Sequence, residues 1–146
     1  MKKWVILLAC TTLLFAGLWL YESADPFDTQ RMEELCQKEA ESAAEAFQTY
    51  QQFRESNRNE GEYWGAVSRF HTFKELVLTL YGNRWKESIY PDADGVYSFM
   101  IFRPELVQEH LEEVVAALEI VGEDWTAPEA RRALSQLSYD LQYVWK

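Results

Sequence analysis

The chain has 146 residues, and its 14 lysines and arginines against 24 aspartates and glutamates leave a formal net charge of −10. Apolar residues make up 48% of the sequence, which excludes a disordered or low-complexity polymer. The acidity argues against nucleic-acid binding, which needs an excess of basic residues, and two cysteines are too few for a disulfide-stapled mini-protein.

Residues 1–24 are predicted to be a signal-anchor segment. Lys2 and Lys3 precede 18 uncharged residues, Trp4 to Tyr21. This is the lower limit of length for a helix that crosses a hydrocarbon core of ~30 Å. Because basic residues precede the stretch and acidic ones follow it, the N-terminus should be cytoplasmic and the chain after about residue 22 extracytoplasmic. We therefore predict a single-pass protein of a bacterial-type plasma membrane that contacts the lipid bilayer through residues 4–21.

Two other fates of this segment compete with a retained anchor. A cleaved signal peptide needs small residues at its cleavage site, but the nearest candidate, residues 22–24, includes the carboxylate of Glu22. Residues 7–10 loosely resemble a bacterial lipoprotein box, although cleavage before Cys10 would leave an apolar tail. The length and the flanking charges favour the anchor.

Residues 25–146 are predicted to form an extracytoplasmic, all-α domain that resembles an antiparallel four-helix bundle. Apolar residues recur four times at +4, +3, +4, +3, a spacing that keeps one stripe on the same side of a helix. Boundary signals are Asp25-Pro26 before the first helix, Gly82-Asn83 after the second, Pro104 before the third and a capping box at residues 126–129 before the fourth. The stripes are Cys36, Ala40, Ala43, Phe47, Tyr50; Ala66, Phe70, Phe73, Val77, Leu80; Val107, Leu111, Val114, Leu118, Val121; and Ala130, Leu134, Leu137, Leu141, Val144.

The connection between the second and third helices is rich in aromatic residues. Asp94-Gly95 is a turn signal with β-favouring residues on both sides, which predicts a small hairpin lying against the helices. The connection either plugs one end of the core or presents a surface to a ligand or partner. The candidate surface combines the apolar end of the second helix with this connection: Leu76, Leu78, Tyr81, Trp85, Tyr90, Tyr97 and Phe99.

A search for reactive groups nominates no catalytic residue, metal site or cofactor. His71 and His110 are the only histidines, and neither follows a glutamate at the spacing of di-iron helical bundles. Each has a carboxylate one turn away, but no third zinc ligand is nominated. Cys36 lies on the first stripe, where a free cysteine behaves as a small buried hydrophobe; the alternative is an intermolecular disulfide.

Three functions follow from these observations. The first is a non-enzymatic, membrane-anchored interaction or assembly module that binds another protein or associates with itself and binds no nucleic acid. The second is a sensor or carrier that holds a small apolar ligand between its helices. The third is a cell-envelope enzyme, which would need a cleft that holds one of the two histidines beside a carboxylate.

Overall fold

The computed structural model describes residues 28–53 and 60–145, and within these ranges the chain is all-helical, as predicted. The predicted membrane span at residues 4–21 lies outside them, as does the Asp25-Pro26 signal. None of the described helices combines the length and apolar character that crossing a membrane requires. The helices are α1 (Thr29–Phe53), α2 (Glu60–Tyr81), α3 (Tyr90–Phe102), α4 (Pro104–Glu109), α5 (Leu111–Glu123) and α6 (Pro128–Tyr139), with a 3₁₀ segment at Gly82–Glu87 and a π-helical turn at Asp140–Val144.

The five longer helices surround one core. Helix α1 packs between α2 and α5, α6 packs on α5 and α3, and α3 packs on α2, so the contacts close into a ring. The predicted stripes face this core almost throughout, because their spacing keeps apolar side chains on one side of each helix. Leu80 is only half-buried. Val144 is exposed, since the π-helical turn winds more residues per turn and rotates the last stripe position outward.

The predicted hairpin is wrong, because residues 90–102 form helix α3. Pro91 lies in its first turn, where a missing N–H leaves no bond unmade. Ala93, Val96 and Met100 are buried on one side of this helix. Gly95 is a contact residue instead of a turn residue: a Cβ there would lie 2.6 Å from the Ser138 Oγ of α6.

Other boundaries differ from the predicted four helices. The predicted third helix begins at Pro104 but is divided at His110 into α4 and α5. The capping box is also wrong: Thr126 donates its hydroxyl to Asp124 Oδ1 at 2.6 Å, and no side chain caps α6. Gly82 adopts a φ of +51° just after α2, which confirms that helix's predicted end.

Small residues let α1 and α5 approach closely. A Cβ on Gly122 would lie 3.2 Å from Ala44 Cβ and 3.4 Å from the Glu41 Cα. Gln37 spans the same contact and donates its amide to the Gly122 carbonyl at 2.6 Å. A side chain at position 122 would therefore be tight at this crossing, and Ala44 would have to move by a few tenths of an ångström to admit it.

Candidate functional site

A buried lysine joins α2 to α3. The Lys74 ammonium lies 2.6 Å from Glu75 Oε1 and 3.1 Å from Asp94 Oδ1, and the lysine side chain is 5% exposed. Burial by itself lowers the pKa of this ammonium, but the hydrogen bonds to both carboxylates outweigh it and raise the pKa above its ordinary range. Lys74 is thus held as a cation, which makes it a structural clamp and a poor nucleophile.

Aromatic rings surround this cation. The Lys74 Nζ lies 5.0 Å from the ring centroids of both Tyr90 and Tyr97, within cation–π range. The Trp85 ring meets the Tyr90 ring edge-on at 5.6 Å. The structure therefore places two residues of the predicted surface around a lysine that the prediction did not include, with a third, Trp85, against one of them. The sequence feature that could have identified Lys74 is its position four residues after Phe70, on the buried side of α2.

The rest of the predicted surface is divided between core and solvent. Leu76, Tyr81 and Phe99 are half-buried and pack against the core, and Leu78 is also half-buried. That this face binds a partner stays a prediction.

Both histidines stack on aromatic rings and lie beside carboxylates. The His71 Nε2 is 3.6 Å from Glu75 Oε1, and its ring stacks on Tyr97. The His110 Nδ1 is 3.8 Å from Glu113 Oε1, and its ring lies parallel to the Trp145 ring at 4.0 Å. These contacts fix both imidazoles as links between chain segments. Among residues 28–53 and 60–145, no group of three or more His, Cys, Asp or Glu side chains is arranged to hold a metal ion.

Three surface grooves have linings that mix polar and apolar atoms. One of about 370 Å³ lies between α1 and α2 and includes Ser42, Glu45 and Arg69 in its lining. Another, of about 250 Å³, lies between α1 and α5 and is lined largely by glutamates, and a third, of about 350 Å³, lies beside Arg131. Neither histidine lines any of the three.

Large apolar side chains are exposed at one end of the helix ring. We call Phe102, Tyr139, Tyr143 and Val144 the C-terminal apolar patch; they are 77%, 55%, 56% and 57% exposed. The two tyrosine rings contact each other, with centroids 5.0 Å apart. The prediction missed this patch, although Phe102 directly precedes Arg103-Pro104, a pair that ends a helix.

The packing of α3 on α6 places Phe102 at the same end as Val144. The Arg131 guanidinium lies 3.4 Å from Asp92, and Gly95 faces Ser138 farther along both helices, so the two helices run parallel. Phe102 follows Gly95 by seven residues and Val144 follows Ser138 by six. At a helical rise of about 1.5 Å per residue, both therefore reach a similar height.

The single cysteine of the described residues is buried in the core. Cys36 is 0% exposed, and burial, with a smaller contribution from Glu33, raises the pKa of its thiol to about 11. This burial agrees with the interpretation of Cys36 as a small hydrophobe. An intermolecular disulfide would require α1 to move away from its neighbours.

Comparison with protein-family models, curated proteins and solved structures finds no match to this chain. Its function is therefore inferred from its own geometry and charge.

Proposed function

We propose that this protein is a non-enzymatic, membrane-anchored helical module that binds another protein outside the plasma membrane. The observation that carries the proposal is the C-terminal apolar patch, where Phe102, Tyr139, Tyr143 and Val144 are all more than half exposed. Scattered exposed apolar residues are normal on a protein surface. Here two exposed tyrosine rings contact each other, and Phe102 lies at the same end of the helix packed beside them, a concentration typical of an interaction site.

The order of the helices supports an outward-facing patch. Arg69 of α2 donates to Ser42 of α1 while the rings of Tyr63 and Phe47 meet, so these two helices are antiparallel. Helix α3 is antiparallel to α2 in turn, since Tyr63 donates to the carbonyl of Met100 whereas Lys74 pairs with Asp94. The start of α1 therefore lies at the end of the ring opposite Phe102.

An anchor at residues 4–21 would enter the domain at that opposite end. Helix α1 has 25 residues. Its length is therefore about 37 Å at a rise of 1.5 Å per residue. The patch would be held roughly this distance beyond the membrane-proximal end, in the position expected of a docking surface for another protein.

Photo-crosslinking in intact cells tests this function. A photoreactive amino acid replaces Phe102 or Tyr143 in the full chain, with Leu35 of α1, another exposed apolar residue, as the matched control position. We expect discrete protein adducts from positions 102 and 143 and none from 35. A fourth position, Tyr90, tests the aromatic face around Lys74. Absence of adducts from all positions would refute the interaction module.

A further inference from the structure

We infer that the C-terminal apolar patch binds a segment of another protein in which apolar or aromatic side chains are flanked by lysines or arginines. This inference rests on the proposed function and adds the chemistry of the partner. It stands on two features of the same end of the molecule: the exposed patch and the acidic side chains beside it.

The His110–Trp145 stack brings an acidic border to the patch. Trp145 directly follows Val144, and its ring lies 4.0 Å from the His110 ring at the joint between α4 and α5. Exposed carboxylates lie on both sides of that joint, on α4 and in the first turn of α5. They are Glu105, Glu109, Glu112 and Glu113.

Within residues 28–53 and 60–145, nearby cations balance only some of these carboxylates. Arg103 pairs with Glu105 at 2.8 Å, and Glu113 has the imidazole of His110 at 3.8 Å. Among the described residues, no salt bridge engages Glu109 or Glu112. A partner that carries basic residues around an apolar centre would match this distribution in both polarity and sign.

The same charges disfavour two other occupants. Anionic leaflets attract basic surfaces, so an acidic border opposes docking onto a lipid bilayer. A second copy of this chain would bring like charges together at a two-fold contact, and each copy carries a net charge of −10. A basic, apolar segment of a different protein satisfies both constraints.

Two amphipathic peptides serve as probes. They share a core of leucine and phenylalanine, and one is flanked by lysines and the other by glutamates. Fluorescence anisotropy measures their binding to the full chain in phosphatidylcholine nanodiscs, which are electrically neutral. We expect the lysine-flanked peptide to bind at least about tenfold more tightly, a difference of about 1.4 kcal/mol. Its affinity should fall as salt is added.

Single substitutions locate the binding. Phe102→Ser and Tyr143→Ser should each weaken the lysine-flanked peptide about tenfold, as expected for aromatic contacts at an interface. Leu35→Ser, the control, should leave the affinity unchanged. Glu109→Gln should weaken the lysine-flanked peptide and leave the glutamate-flanked peptide unaffected or more tightly bound. Because Phe102, Tyr143 and Leu35 are exposed, these variants should retain the wild-type helical content.

Several results would overturn the inference. The first two are equal affinities for the two peptides and an affinity for the lysine-flanked peptide that Phe102→Ser does not change. The other two are that the chain forms a dimer, or binds vesicles of anionic lipid, and that Phe102→Ser abolishes this association. If crosslinking from position 102 in cells persists while the peptides bind equally, the interaction module stands and the basic partner is wrong. If crosslinking fails at every position, the module itself is wrong.

Discussion

Replacing Lys74 by alanine should cost this protein about 3 kcal/mol of its free energy of unfolding. Alanine keeps only Cβ, so three methylenes leave a side chain that is 5% exposed, at about 0.8 kcal/mol each. The pairs with Glu75 and Asp94 contribute less than fully buried ones, because those carboxylates are 45% and 48% exposed. After solvent screening, each adds about 0.5 kcal/mol.

The methionine variant separates packing from charge. Lys74→Met retains an unbranched apolar stem and removes the ammonium, so it should cost only about 1 kcal/mol. Lys86→Ala is the matched control, since Lys86 is an exposed lysine over the Trp85 ring at 5.4 Å. It should change stability by no more than about 0.5 kcal/mol.

Urea unfolding of the full chain in a mild detergent, followed by far-ultraviolet circular dichroism, measures all three variants. The expected order of destabilisation is alanine at position 74, then methionine at 74, then alanine at 86. The reasoning is refuted if Lys74→Met is as damaging as Lys74→Ala, because the buried stem would then contribute nothing. A cost of Lys74→Ala below about 1 kcal/mol would refute it as well.

Three further predictions use the same unfolding measurement. Gly122→Ala should cost about 1–3 kcal/mol because rigid neighbours crowd its Cβ, whereas Gly65→Ala, with open space around it, should gain about 0.5–1 kcal/mol; equal effects would contradict this. Tyr63→Phe should cost about 1–2 kcal/mol, because it removes the hydroxyl that donates to the Met100 carbonyl near the end of α3. An unchanged midpoint of urea unfolding would show that this hydrogen bond is dispensable. Burial raises the pKa of the Cys36 thiol from 9.0 to about 11, which contributes stability that is full below pH 9.0 and is lost as pH rises towards about 11. Between about pH 8 and 11, the wild type should therefore lose about 2 kcal/mol more of its free energy of unfolding than Cys36→Ala does. Parallel losses in the two proteins would exclude this linkage.

The positions of the buried faces were predictable from local spacing. Phe47, Phe70, Leu118 and Leu134 lie on stripes of helical period, and all four are in the core. Periodicity succeeds here because a helix that packs on one side must bury residues three and four apart. Gly82 likewise marked the end of α2, since a left-handed backbone conformation favours glycine.

The candidate site was harder to predict because its contacts join distant parts of the chain. Lys74 and Asp94 pair across 20 positions of sequence, and no local pattern specifies that pairing. The aromatic residues Trp85, Tyr90 and Tyr97 were named, but their arrangement around a cation depends on how α2 and α3 pack.

Residue spacing within single helices was enough to predict the all-helical class and the sides of α1, α2, α5 and α6 that face inward. Packing between helices decided that residues 90–102 form a helix, because Gly95, which locally indicates a turn, is needed where α3 meets Ser138. It also decided that Phe102 is exposed. Whether an apolar side chain is covered depends on which helix lies beside it, and only the assembled ring supplies or withholds that neighbour.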